Sequence, residues 1–136
     1  MSELTQPAIL VVEDQAAIRR QLKRALERHG FSVIEAGTAM QGLSLVQANH
    51  GSIDLAILDI VMPGMSGLDL AAELIREHPD IRILYTSGKV DSVAMEVIAR
   101  SSPETVLPKP FTTVELIERV RYLLEKRTGT APASVV

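Results

Sequence analysis

The sequence predicts an α/β domain in which one five-stranded parallel sheet is doubly wound, with five helices packed on its two faces. Three observations predict it. Five short runs of β-branched and aliphatic residues recur along the chain, the segments between them switch to a helical apolar period, and cap or turn residues mark most junctions. Strands that alternate with helices in this way pair in parallel through right-handed crossovers.

The strand candidates are 8–12, 31–36, 53–58, 81–86 and 105–107. The first is continuously apolar, as is 55–58, which suits central strands covered on both faces; 31–36 mixes in polar residues and suits an edge. Ile18, Leu22, Ala25 and Leu26 line one face of the first helix, and Leu116, Ile117, Val120, Leu123 and Leu124 line the last. Thr38 with Gln41, Ser66 with Asp69, and Thr112 with Glu115 have capping-box spacing, while Gly30, Gly51 and Pro79 follow helix ends. The fourth helix, 90–100, is the least punctuated. Residues 1–7 read as an N-terminal extension, 8–127 as one domain, and 128–136 as a flexible, aperiodic tail.

Composition narrows the function. A chain of 136 residues and 14.8 kDa suits one domain, and 46% hydrophobic residues suffice for a core. Aromatic residues are only 3%, with no Trp, so stacking platforms for bases have little to be built from. Fourteen Lys and Arg against seventeen Asp and Glu leave a net charge of −3, without the electrostatic footprint of direct nucleic-acid binding. There is no Cys for disulfides or thiolate metal sites, and no apolar run approaches the roughly 20 residues of a membrane helix. A cytoplasmic protein is expected.

In a sheet of this kind ligands bind at the carboxyl ends of the strands. Those ends carry Glu13 and Asp14 (strand one), Asp59 (strand three), Thr86, Ser87 and Gly88 (strand four), and Pro108, Lys109 and Pro110 (strand five). Carboxylates ~4 Å apart repel by ~4 kcal/mol at an effective dielectric of 20, so something positive must offset the cluster. Lys109 supplies one charge, and small oxygen donors suit a hard divalent cation such as Mg²⁺. Singly, each residue has an ordinary role: Asp14 as an N-cap, Asp59 as a turn aspartate, Ser87-Gly88 as a loop, Lys109 as a solvated amine. Four strand ends delivering complementary groups to one edge favour a site. By contrast His29, His50 and His78 stand where helix caps are expected, and Met40, Met62 and Met65 read as loop and core filler. Arg119, Arg121, Lys126 and Arg127 alternate with Glu115, Glu118 and Glu125 as on a solvated, ion-paired face.

The ordered set Glu13-Asp14, Asp59 followed by Pro63, Gly64 and Gly67, Ser87-Gly88, and Lys109-Pro110-Phe111 resembles the CheY-like receiver domain of two-component response regulators, over nearly the whole of 8–127. The resemblance implies the flavodoxin-like strand order 2-1-3-4-5. It implies Asp59 as phosphoacceptor from a histidine kinase or histidine phosphotransfer protein. Mg²⁺ would be held by Glu13, Asp14, Asp59 and the Val61 backbone carbonyl. Lys109 and Ser87 would contact the phosphoryl oxygens, Gly88 would leave space beside them, and the Lys109-Pro110 bond would be cis. It further implies a signalling domain that is not an enzyme beyond its own phosphoryl transfer and slow autodephosphorylation. Its switched surface would address a downstream protein, with a homodimer through the face of helix 4, strand 5 and helix 5. Similar proteins often carry an aromatic residue three positions before the lysine, where this chain has Val106; Tyr85 lies on strand four instead. Val61 and Lys89 occupy positions that modulate dephosphorylation in similar proteins. A P-loop hydrolase is excluded because Glu13-Asp14 replaces a Gly-rich loop. A flavin carrier of this topology wants hydroxyls and amides there, and a haloacid-dehalogenase phosphatase wants an Asp where Val61 stands. The competing reading is a non-phosphorylated pseudo-receiver that serves only as an interaction module.

Overall fold

A computed structural model describes residues 6–48, 52–88 and 93–126, the side chains of 93–95 excepted. The elements run β1 (Ala8–Val12), α1 (Ala16–Arg28), β2 (Ser32–Ala36), α2 (Ala39–Ala48), β3 (Leu55–Asp59), α3 (Gly67–Glu77), β4 (Arg82–Ser87), α4 (Val93–Ser101), one 3₁₀ turn (Pro103–Thr105), β5 (Val106–Pro108) and α5 (Thr113–Glu125). All five strands pair in parallel in the order β2-β1-β3-β4-β5. The doubly wound sheet and its strand order are therefore as expected. Residues 1–5 of the N-terminal extension, the tail 128–136, the helix stop Gly51, His50 and Lys89 lie outside the described residues.

Burial follows the strand pattern. β3 is buried throughout and β1 nearly so, whereas β2 at the edge is only partly covered. Ile9, Val11, Leu55, Ile57 and Leu84 point to α1 and α5, where Leu22, Leu26, Leu116, Val120 and Leu123 cover them. Leu10, Val12, Ala56, Leu58 and Ile83 point the other way, beneath Val46, Leu70 and Leu74 of α2 and α3. Each fully buried aliphatic side chain contributes roughly 1.5–3 kcal/mol through lost apolar hydration. A smaller cluster under α4 joins Ile60 and Val106 to Leu68, Tyr85 and Ile98.

Strand boundaries differ from expectation in one consistent way. Phe31, Ile53 and Ile81 are buried but stand outside the ladder, while Asp59 and Ser87 are the last residues within it. Apolar character reports burial, whereas ladder membership depends on the neighbouring strand. The fourth helix is described over Val93–Ser101; the expected start at 90–92 lies outside the described residues.

The capping spacings are realised to different degrees. Thr112 Oγ1 accepts from the Glu115 N–H and Glu115 Oε1 accepts from the Thr112 N–H, a complete capping box. Ser66 Oγ accepts from the Asp69 N–H at 3.1 Å. Thr38 Oγ1 accepts from the Gln41 N–H, but the Gln41 side chain reaches one residue further back to the Gly37 N–H. The N-cap of α1 is Gln15, so Asp14 does not fill the capping role its position allowed.

His29 and His78 occupy C-cap positions, the former with Nδ1 2.8 Å from the Ala25 carbonyl. Met62 and Met65 pack into the core as expected; Met40 instead is exposed on α2. The ion-paired face expected on α5 is corrected: among the described residues none of its basic groups pairs with Glu115, Glu118 or Glu125. Arg119 turns inward to donate to the Glu104 and Val106 carbonyls, and Lys126 lies over the Tyr122 ring. Helical spacing permits such pairs; for Arg119 tertiary carbonyl acceptors take their place, and Arg127 lies outside the described residues.

Gly67 opens α3 directly beneath the end of β3. Its N–H donates to the Ile60 carbonyl, and a Cβ built there would sit 2.3 Å from the Asp59 carbonyl oxygen. That clash is with backbone and no rotamer relieves it. Gly67→Ala is expected to cost about 2 kcal/mol or more in urea unfolding. Gly88→Ala, whose Cβ meets no atom within 4 Å, should stay within about 0.5 kcal/mol of wild type. Equal effects of the two changes would refute this account of the β3–α3 contact.

Candidate functional site

β1 and β3 are neighbours, so their ends arrive side by side. The Glu13 N–H still pairs with the Ala36 carbonyl, which extends the β1 backbone one residue and drives the Glu13 side chain into the protein, where it is 1% exposed. Its carboxylate is used twice. Oε2 accepts from the Gln15 N–H, covering an open donor at the start of α1, and Oε1 lies 3.1 Å from Lys109 Nζ. Asp14 follows at the surface.

Asp59, 6% exposed, ends β3 in register with Thr86. Its Oδ2 is 3.2 Å from Lys109 Nζ, and its Oδ1 accepts from the Val61 N–H. Ser87 is buried at the end of β4, and its carbonyl accepts from the Lys109 N–H at 2.8 Å. That bond joins the lysine backbone to the serine strand. The Lys109-Pro110 peptide is cis, as expected.

Burial pushes the Glu13 carboxyl above its ordinary range, the Gln15 N–H and Lys109 pull it back, and the Asp59 charge pushes it up again. For Lys109 burial works against the ammonium, but the hydrogen bond to Glu13 and the charges of Asp59 and Glu13 prevail and raise its pKa. The lysine is thus held charged between two buried carboxylates.

One ammonium does not balance three acids. Oxygens of Glu13, Asp14 and Asp59 lie within 4.8 Å of one another, a compact set of hard donors open to water on the Asp14 side. Such a set fits a small divalent cation that keeps part of its hydration shell. All four charged residues singled out from the sequence meet here, with Ser87 on the same edge.

Sequence reasoning missed the backbone donors from Gln15 and Val61, because any residue supplies an N–H. It also missed Arg19, whose Nη1 donates to the Glu13 carbonyl; α1 carries five basic residues and periodicity does not distinguish this one. Val61 is 70% exposed at the mouth of the site. Val106, in register with Tyr85, packs in the small α4 cluster to which the partly buried Tyr85 also belongs. Among the described residues, no helix is long and apolar enough to cross a membrane.

The chain is similar to known proteins over most of its length. The family model for the response regulator receiver domain matches residues 9–121. The response regulator MprA of Mycobacterium sp. (strain KMS) is 36% identical over 119 residues, covering 87% of this chain and 50% of that protein. The sensor kinase CckA of Brucella abortus (strain 2308) is 34% identical over 119 residues, covering 88% of this chain but 13% of the kinase. The chain thus spans half or less of these curated relatives. A CheY-like receiver domain protein from Methanospirillum hungatei JF-1 superposes with a TM-score of 0.79 at 27% identity, covering 89% of this chain and 95% of that one. With the receiver model spanning the sheet and both core faces, this chain belongs to the response regulator receiver domain family, the signalling phosphoacceptor domains of two-component systems.

Proposed function

We propose that Asp59 accepts a phosphoryl group from a phosphohistidine on a histidine kinase or histidine phosphotransfer protein. The observation that carries this reading is the Lys109 ammonium, 3.1 Å from Glu13 and 3.2 Å from Asp59, on the same rim as Asp14. A pseudo-receiver that only bound partners would have no use for a buried carboxylate pair held on an ammonium.

In the step itself an Asp59 carboxylate oxygen attacks phosphorus. The new O–P bond forms as the P–N bond breaks, and the electron pair leaves on the imidazole nitrogen, which takes a proton from solvent. The product is an aspartyl phosphate and a neutral histidine. Glu13, Asp14, Asp59 and the Val61 carbonyl would hold Mg²⁺, which supplies charge neutralisation at the transferring oxygens. Lys109 contributes a second positive charge, already oriented, and Ser87 a hydroxyl donor. Positioning and electrostatics are the domain's contribution to the transfer.

The aspartyl phosphate carries about −2 charge where a carboxylate carried −1, with strong acceptor oxygens. It draws the Ser87 hydroxyl and the end of β4 inward, and that movement is read by a downstream protein. The same reading assigns homodimer formation, where it occurs, to the face of α4, β5 and α5, on which Val97 and Tyr122 are exposed. It places the domain in the cytoplasm, without direct nucleic-acid contact.

With Mg²⁺ and acetyl phosphate, intact-mass analysis should show the gain of one phosphoryl group, absent in Asp59→Asn and absent after chelation. Wild-type uptake by Asp59→Asn would move the acceptor elsewhere, and uptake that survives chelation would remove the metal assignment of Glu13 and Asp14. The second expectation concerns persistence. The exposed Val61 side chain cannot orient a water, so Val61→Asn should speed loss of the phosphoryl group by about twofold to tenfold, as one hydrogen bond of roughly 0.5–1.4 kcal/mol would. Unchanged or slower hydrolysis in that variant would count against a water-access role for this position.

A further inference from the structure

The three acids are held unequally. Glu13 and Asp59 are each gripped by Lys109 and by a backbone N–H, whereas Asp14 stands exposed between Glu13 and the N-cap Gln15. Where its carboxylate points depends on how the backbone leaves β1. Arg19 bonds to the backbone at that departure. Its Nη1 donates to the Glu13 carbonyl at 2.7 Å while its Nε donates to Glu35 on β2 at 3.1 Å. The Glu13 carbonyl belongs to the peptide that joins residue 13 to residue 14, so a bond on that oxygen fixes the plane from which Asp14 emerges. The guanidinium is itself confined: its side chain is 19% exposed, and a Cβ on Gly37 would come within 3.2 Å of Nη1.

We propose that Arg19 is a positioning residue for the divalent cation, holding the Glu13–Asp14 peptide so that the Asp14 carboxylate joins those of Glu13 and Asp59. The proposal rests on the phosphoryl-transfer reading above. A planar fork anchored at both ends suits this task, and groups that orient metal ligands from outside commonly change affinity by 10–100-fold.

Electrostatics gives the opposite sign, which makes the idea decidable. Arg19 is a cation close to an acidic cluster, so removing its charge should by Coulomb's law tighten Mg²⁺ binding. Loss of positioning should weaken it. Lys23 provides the control, because it joins the same network at 3.8 Å from Glu35 and 3.7 Å from Glu27 without holding the β1–α1 turn.

The experiment titrates the full chain with MgCl₂ by calorimetry, alongside metal-free thermal unfolding and the acetyl phosphate reaction at saturating Mg²⁺. Arg19→Gln should raise the Mg²⁺ Kd about tenfold. Its rate at saturating Mg²⁺ should stay within about twofold of wild type, since the reacting groups are unchanged. Arg19→Lys keeps the charge but not the fork and should weaken binding by a smaller factor. Lys23→Gln should bind Mg²⁺ as well as wild type or more tightly. Equal or tighter binding by Arg19→Gln, or an equal loss in Lys23→Gln, overturns the proposal and leaves the Asp59 assignment standing. A lowered melting temperature with a matching rate loss at saturating Mg²⁺ would make Arg19 merely structural and also overturns it. No Mg²⁺ binding by the wild type would overturn both readings.

Discussion

The Lys109 ammonium, shared between the carboxylates of Glu13 and Asp59, is the contact on which the carboxyl edge of the sheet depends. Two buried acids on adjacent strands repel each other, and burial raises the pKa of the Glu13 carboxyl. A single amine from β5 answers both. The fold allows this because β1 and β3 lie at the sheet centre, while the turn after β5 returns across their ends, tied to β4 by the Lys109 N–H on the Ser87 carbonyl. The aliphatic faces above α1 and α5 and beneath α2 and α3 provide the rigidity that holds these ends in register.

That arrangement leaves one charge imbalance, and chemistry follows from it. Three carboxylates and one ammonium retain excess negative charge at a place open to water through Asp14. The excess suits a divalent cation, and the cation and lysine together suit a phosphoryl group. The site therefore resembles many functional sites in keeping a local electrostatic cost that the hydrophobic layers elsewhere offset.

The small cluster under α4 has a different character. Val106 contributes little volume beside Tyr85, and β5 is a three-residue edge strand whose start is held by Arg119 from α5. The aromatic of this cluster stands on β4, two residues before Ser87.

Residue type and order alone determined much of this protein. Continuous apolar runs identified β1 and β3 as central, the mixed run identified β2 as an edge, and the acids, serine and lysine at the strand ends marked the groups that gather at one edge of the sheet. These were legible because periodicity and strand-end chemistry are local properties of the chain. Only the tertiary structure decided which buried residues join the ladder, that Gln15 rather than Asp14 caps α1, that Arg119 bonds to carbonyls instead of to Glu115, and that Arg19 bridges Glu13 to Glu35. Each of those outcomes is a competition between partners distant in sequence, settled by which acceptor packing brings within hydrogen-bond reach.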